Sequence, residues 1–273
     1  MGVSKGNRFQ ELSEKLLLKL GAPGWAWEWL RRNPAYARAV GKSLKLLRQV
    51  LREHPFLEVL ELQSAYKDKW GLCFPEDHSR AYTNAAVFWR PEYDPSIIPV
   101  AAVPAEISSP DALDFRDLKF AVRILKTPEG EHVQLSNGFH SIQINVISGT
   151  VLDGPVRLAY ILSGQETLNA RRVPVERLIA LKKQKRFPAK MFTEDSRASR
   201  WLLALKAIDM ERSGMSQPDI AAHFYPGTEH TDFVTNWRRS RLRRLLDTGH
   251  EMISGGGYLK ILARSVKAMR RAV

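Results

Sequence analysis

Gly214-Met215-Ser216-Gln217-Pro218-Asp219-Ile220-Ala221 decides the reading of the C-terminal part of this 273-residue chain. Upstream, the run from Glu194 to Ser213 places Trp201, Leu202, Leu205, Ile208 and Met210 at helical spacing, and Gly214 closes it. Ser216 then reads as an N-cap whose hydroxyl accepts a backbone N–H. Pro218 is tolerated in the first turn, and Asp219 suits the positive end of the helix. Ile220, Ala221 and Phe224 give this second helix an apolar face, and Tyr225-Pro226-Gly227 stops it. A helix, a tight glycine turn and a short helix predict the first half of a helix-turn-helix, with Ala221 small enough to admit a close neighbour. Helical hairpins that bind nothing share the same pattern.

The next segment strengthens the prediction. From Asn236 to Ile253, Leu242, Leu245, Leu246, Met252 and Ile253 share one helical face, with Gly249 in the same stripe. Asn236, Ser240, Arg243 and Arg244 fall opposite, and Arg239 and Arg241 fall on the flanks. Five arginines, Arg238, Arg239, Arg241, Arg243 and Arg244, lie in seven positions. A guanidinium fork bonds two acceptors at once, on a phosphate or on the O6/N7 edge of guanine. Asn236, Ser240 and Arg243 are therefore candidate base readers of double-stranded DNA, and Arg238, Arg239, Arg241 and Arg244 complete the candidate contact set. Ile220, Ala221 and Trp237 are assigned to the scaffold. The bland alternative is a solvated charged face. Ser254 to Gly257 reads as a C-cap and turn, and Tyr258 to Met269 as a closing helix.

Charge is distributed in keeping with this. The chain carries a net +13, with +7 in residues 1–54, −6 in 55–170, +6 in 171–189 and +6 in 190–273. Basic ends around an acidic middle suit a polyanion partner. Residues 164–190 read as a short helix followed by a basic connector, in which Arg171, Arg172, Lys182 and Lys183 are candidate auxiliary phosphate contacts.

The rest predicts an α+β chain: a helical N-terminus, a small antiparallel sheet in the middle and an all-α helix-turn-helix domain at the C-terminus. Helices are expected over Phe9–Leu20, Trp25–Arg31 and Pro34–Leu51, the last with Asn33 as N-cap. Trp70–Phe74 and Ala85–Trp89 read as short strands. Ile142, Ile144 and Val146 alternate with polar neighbours, and Pro128-Glu129-Gly130 and Asn137-Gly138 supply turns, which predicts a meander between Lys119 and Ser163. The expected divisions are a helical and short-strand domain over 1–110, a meander with basic connector over 111–189 and the helix-turn-helix domain over 190–273.

Other chemistries find little support. The chain has no Gly-x-Ser-x-Gly, no phosphate-binding loop and no His-Glu-x-x-His, so no catalytic residue is assigned. Glu76-Asp77-His78 and Asp111, Asp114 and Asp117 are the best acids for a metal-dependent nuclease, but they read as loop residues. No cofactor and no metal ligand is assigned. A single cysteine, Cys73, in an apolar stretch reads as buried. No apolar run is long enough for a membrane span or signal segment, so a cytoplasmic location is the default expectation.

Trp27-Glu28-Trp29-Leu30-Arg31-Arg32-Asn33-Pro34-Ala35-Tyr36 resembles the opening of a proteobacterial family called transcriptional-regulator-like. Trp70-Gly71-Leu72, Phe74-Pro75 and Val87-Phe88-Trp89-Arg90-Pro91 resemble segments that follow in it. Trp201-Leu202-Leu203-Ala204-Leu205, Ile220-Ala221, Trp237, Arg241-Leu242-Arg243-Arg244-Leu245 and Gly256-Gly257-Tyr258 resemble its second domain, read as a helix-turn-helix. Members of that family occur on integrative and conjugative elements, where some activate genes for excision and transfer and small antiactivator proteins restrain them. The resemblance implies a site-specific DNA-binding activator of transcription. The Trp-rich N-terminal surface and the acidic, strand-rich middle are read as contacting protein, either a second protomer, RNA polymerase or an antiactivator. A replication initiator or RNA-binding protein of a mobile element is the alternative, and a metal-dependent nuclease a more distant one. Oligomeric state is not legible.

Overall fold

The computed structural model describes residues 11–40, 46–50, 54–62, 69–226 and 232–269. Its centre is a seven-stranded sheet: β1 (Leu46–Val50), β2 (Leu57–Leu62), β3 (Ile98–Pro104), β4 (Ala121–Thr127), β5 (Gly130–Ser136), β6 (Ser141–Ser148) and β7 (Val156–Tyr160), in the order β1-β2-β4-β5-β6-β3-β7. The expected meander β4-β5-β6 is present, with Ile124 opposite Val133 and Val133 opposite Ile144. The sheet around it is larger than expected, and mixed. β2 runs parallel to β4, and β3 parallel to β6. Side-chain alternation carries no strand direction, so only the hairpins are visible in the sequence.

Among the described residues eight α-helices accompany the sheet: α1 (Glu14–Leu18), α2 (Ala22–Leu30), α3 (Pro34–Val40), α4 (Gln165–Gln184), α5 (Ala198–Arg212), α6 (Gln217–Phe224), α7 (Asp232–Ile253) and α8 (Gly257–Met269). Three expectations are corrected. The third helix is described over Pro34–Val40, and Leu46–Val50, expected to continue it, is strand β1, held by antiparallel pairing with β2. The short helix with connector after residue 164 is instead the twenty-residue α4, which accommodates Pro174 and seats Leu178 and Leu181 on the sheet. Trp70–Phe74 and Ala85–Trp89 form no ladder beyond the single Leu72–Trp89 bridge. The first expected helix is seen over Glu14–Leu18, and its Phe9 start lies outside the described residues.

Asn33 caps α3 as expected, its side-chain oxygen accepting from the N–H of Ala35 at 2.8 Å and of Tyr36 at 3.3 Å. α2 is buried on every side from Gly24 to Leu30, which places it at the centre of the molecule. Trp25, Trp27 and Trp29 are fully buried, and the Trp25 ring lies 5.5 Å from that of Trp201 on α5. One continuous core therefore joins α2, Tyr36, Trp70 and Trp89 to α5, α6, α7 and α8. The N-terminal tryptophans are interior, not an outward surface. A second core lies between the sheet and α4, and a small third one packs Cys73, Phe74 and Phe88 beside Leu60 and Leu125.

Candidate nucleic-acid interface

α5, α6 and α7 pack on one another over the stretch that the sequence reads as a helix-turn-helix. α5 ends in a glycine-based cap: Gly214 has φ +88°, its N–H donates to the Glu211 carbonyl, and the Met215 N–H reaches back to the Met210 carbonyl at 3.2 Å. This reverses the chain within a few residues. Ser216 caps α6, accepting from the Asp219 N–H, and Pro218 sits in the first turn. Ile220 and Ala221 are buried between α6 and its neighbours.

α7 presents two faces. Leu242, Leu245, Leu246, Gly249 and Ile253 are buried, while Asn236, Arg239, Ser240, Arg241, Arg243 and Arg244 are exposed and Arg238 is half-buried. Gly249 lets α5 and α7 meet closely: a Cβ placed on it would lie 2.2 Å from Cγ1 of Ile208. Arg243 stands 4.0 Å from Asp247 one turn on, both well exposed, so the pair is weak. Among the described residues no carboxylate pairs with Arg239, Arg241 or Arg244. α7 spans Asp232–Ile253, so the helix, whose start the sequence leaves open, includes residues before Asn236. Residues 227–231 lie outside the described ones.

Trp237 does not lie in the buried scaffold with Ile220 and Ala221. Its side chain is 41% exposed, the Tyr225 ring packs edge-on to it at 5.3 Å, and the Arg241 guanidinium lies over its face at 4.6 Å. Of the auxiliary candidates, Arg172 and Lys183 are exposed. Arg171 donates to the Ile97 carbonyl at 2.9 Å, and Lys182 pairs with Asp111, so both have partners within the protein.

Sequence reasoning missed how the N-terminal string holds this unit. Glu28 is fully buried and accepts from Arg31 at 2.7 Å and Arg32 at 2.8 Å. Arg32 also bonds Asp209 of α5, and the Arg212 guanidinium donates to the Arg32 carbonyl at 2.6 Å. The Asn33 side-chain amide donates to the carbonyl of Ile253, the last residue of α7, at 2.7 Å. Burial lowers the Arg31 pKa below the usual arginine value despite Glu28. Burial also disfavours charge on Arg32, but Glu28 and Asp209 outweigh it and raise its pKa. No local signal in the sequence links residues this far apart.

The acids weighed for a nuclease have structural duties. Glu76 is buried and accepts from the N–H groups of Asp77 and Ala86, Asp114 grips Arg116, and Asp111 holds Lys182. Among the described residues no group of three or more His, Cys, Asp or Glu side chains comes together to hold a metal ion. No described helix is long and apolar enough to cross a membrane.

An exposed arginine face on a helix that buries its other side is compatible with contact to a nucleic acid. The comparisons with known families agree. Residues 10–75 match the proteobacterial transcriptional regulator-like domain, and residues 161–263 match a family described as T6SS, transcription factor, DNA binding domain. The first match covers the string Trp27–Tyr36, and the second takes in α4 as well as α5, α6 and α7. No curated protein and no solved structure matches the chain. The two families support a DNA-binding transcription regulator.

Proposed function

We propose that the protein is a sequence-specific activator of transcription that lays α7 in the major groove of double-stranded DNA and acts on excision and transfer genes of a mobile element. One observation carries the DNA-reading part. α7 buries its leucine stripe on α5 and α6 and turns Asn236, Arg239, Ser240, Arg241, Arg243 and Arg244 to solvent. The activator role, the mobile-element target and an antiactivator partner rest on the family resemblance; RNA polymerase is the partner an activator would contact, and a cytoplasmic place of action goes with binding DNA.

In this reading Asn236, Ser240 and Arg243 contact base edges, Asn suiting adenine and Arg guanine. Arg239, Arg241 and Arg244 contact phosphates and fix the register. Arg172 and Lys183 on α4 are the auxiliary candidates with exposed side chains. Titrating labelled operator and scrambled DNA tests the division of labour, the operator first being located by chromatin immunoprecipitation in the host. Arg243→Ala should cost about 1–3 kcal/mol on the operator and relax preference at one or two base pairs. Arg239→Ala should weaken both DNAs about equally and reduce the salt slope by about one. If neither change alters binding, α7 is not the DNA-facing element.

A further inference from the structure

We propose that Trp237 is a positioning residue: its exposed ring holds the Arg241 guanidinium ready for a DNA phosphate at the edge of the groove. The proposal rests on the reading of α7 as the DNA-contacting helix. Trp237 and Arg241 are four residues apart, one above the other on α7. The guanidinium carbon lies 4.6 Å from the ring centroid, within reach of the negative face of the indole. Stacking uses the flat face of the guanidinium and leaves its N–H edge open for a forked bond to phosphate oxygens.

The ring is itself held from behind. Tyr225, the residue that ends α6, packs against it at 5.3 Å with the planes 63° apart, and Phe224 lies next to Tyr225 at 6.4 Å. The position of Arg241 is thus referred through Trp237 and Tyr225 to the half-buried Phe224 at the end of α6. A long flexible side chain loses rotamer freedom when it binds, and this stack removes part of that freedom beforehand. It also explains why a large aromatic side chain stays exposed on a helix that buries Leu242, Leu245, Leu246 and Ile253.

A double-mutant cycle on the full chain, titrated against operator and scrambled DNA at several salt concentrations, tests this. Arg241→Ala should weaken both DNAs about tenfold and lower the slope of log K against log salt by about one. Trp237→Ala should weaken both about three- to fivefold while leaving the charge in place. The double variant should bind like Arg241→Ala alone within about twofold, because the ring acts only through the arginine. Trp237→Tyr should restore most of the loss. Trp237→Leu repeats the test if the alanine variant melts early, since leucine keeps apolar bulk against Tyr225 but offers no ring face.

Losses that multiply in the double variant would overturn the proposal, and so would a Trp237→Ala defect confined to the operator, which would make the ring a base reader. If Arg243→Ala weakens binding while the Trp237 and Arg241 variants do not, this inference alone falls. If Arg239, Arg241 and Arg243 can all be replaced without effect, the reading of α7 falls with it.

Discussion

Arg32, just past the end of α2, grips Asp209 of α5 with a forked set of hydrogen bonds: Nε to the two carboxylate oxygens at 2.9 and 3.2 Å, and a terminal nitrogen to one of them at 3.0 Å. The same guanidinium bonds the fully buried carboxylate of Glu28. Two acids on different helices thus converge on one cation. Removing that cation takes one of two guanidinium partners from the buried Glu28 carboxylate and the forked partner from Asp209, which costs more than the pairs contribute while intact.

Arg32→Ala is therefore expected to lower the free energy of unfolding by about 3–5 kcal/mol. Arg32→Lys should also be costly, because an ammonium cannot fork across both acids. Asp209→Asn should cost less, since that side chain is 39% exposed and water replaces part of the interaction. Urea denaturation of the three variants gives the ranking, and an Arg32→Ala protein as stable as wild type would refute it.

Gly249→Ala adds one methyl group where α5 and α7 touch. The added Cβ would sit 2.2 Å from Ile208 Cγ1, so the helices must part, at a cost of about 1–3 kcal/mol. Ile208→Ala removes the atom that is struck. The double variant should therefore be more stable than the two single losses added together, as thermal melts of all four proteins would reveal.

A fragment ending at residue 189 should expose the tryptophans of α2. Trp25 packs on Trp201, and the carbonyl of Trp70 accepts from the Tyr258 hydroxyl at 3.2 Å, both partners lying beyond the cut. The expected outcome is a fragment that binds a hydrophobic dye and shows no sharp unfolding transition. A cooperatively folding, dye-silent fragment would show that the shared core is dispensable.

Acid should weaken the fold through His132. Burial, reinforced by nearby Arg90, pushes its pKa down to about 4, below the ordinary histidine value. The ring is neutral in the folded protein, so its contribution is full above about pH 6.5, where the unfolded chain is neutral too. It is lost as pH falls from about 6.5 towards 4, because only the unfolded state takes up the proton. The change is on the order of 3 kcal/mol. His140, also held near 4 by burial and by Arg177, acts in the same direction. Unfolding midpoints measured between pH 7 and 4 should fall less steeply in His132→Gln.

Local rules account for what was readable beforehand. Ser216, Gly214 and Asn33 act within a few residues of themselves, and all three do as their side chains or lack of one predict. Leu242, Leu245 and Leu246 likewise fixed which face of α7 turns inward. Leu46–Val50 went the other way because leucines at positions 44, 47 and 51 also fit helical spacing, and only pairing with β2 decides for a strand. The insertion of β3 between β6 and β7 joins segments far apart in the chain, which no window of sequence contains. At the candidate interface the arginine face was legible from periodicity. The outward position of Trp237 was not, because its partners Tyr225 and Arg241 lie on two helices whose approach depends on the fold.

Asn33 holds the carbonyl that ends α7, and this makes the N-terminal string and the arginine helix a matched set. A chimera that borrows α5, α6 and α7 from another protein must bring an acid at the place of Asp209 and a helix end where Asn33 can reach it. On the proposed reading of α7, retargeting the protein to new DNA leaves the exposed side of the helix open to exchange. Its far end is not, and grafts should be made residue by residue on the outer face instead of by transplanting the helix whole.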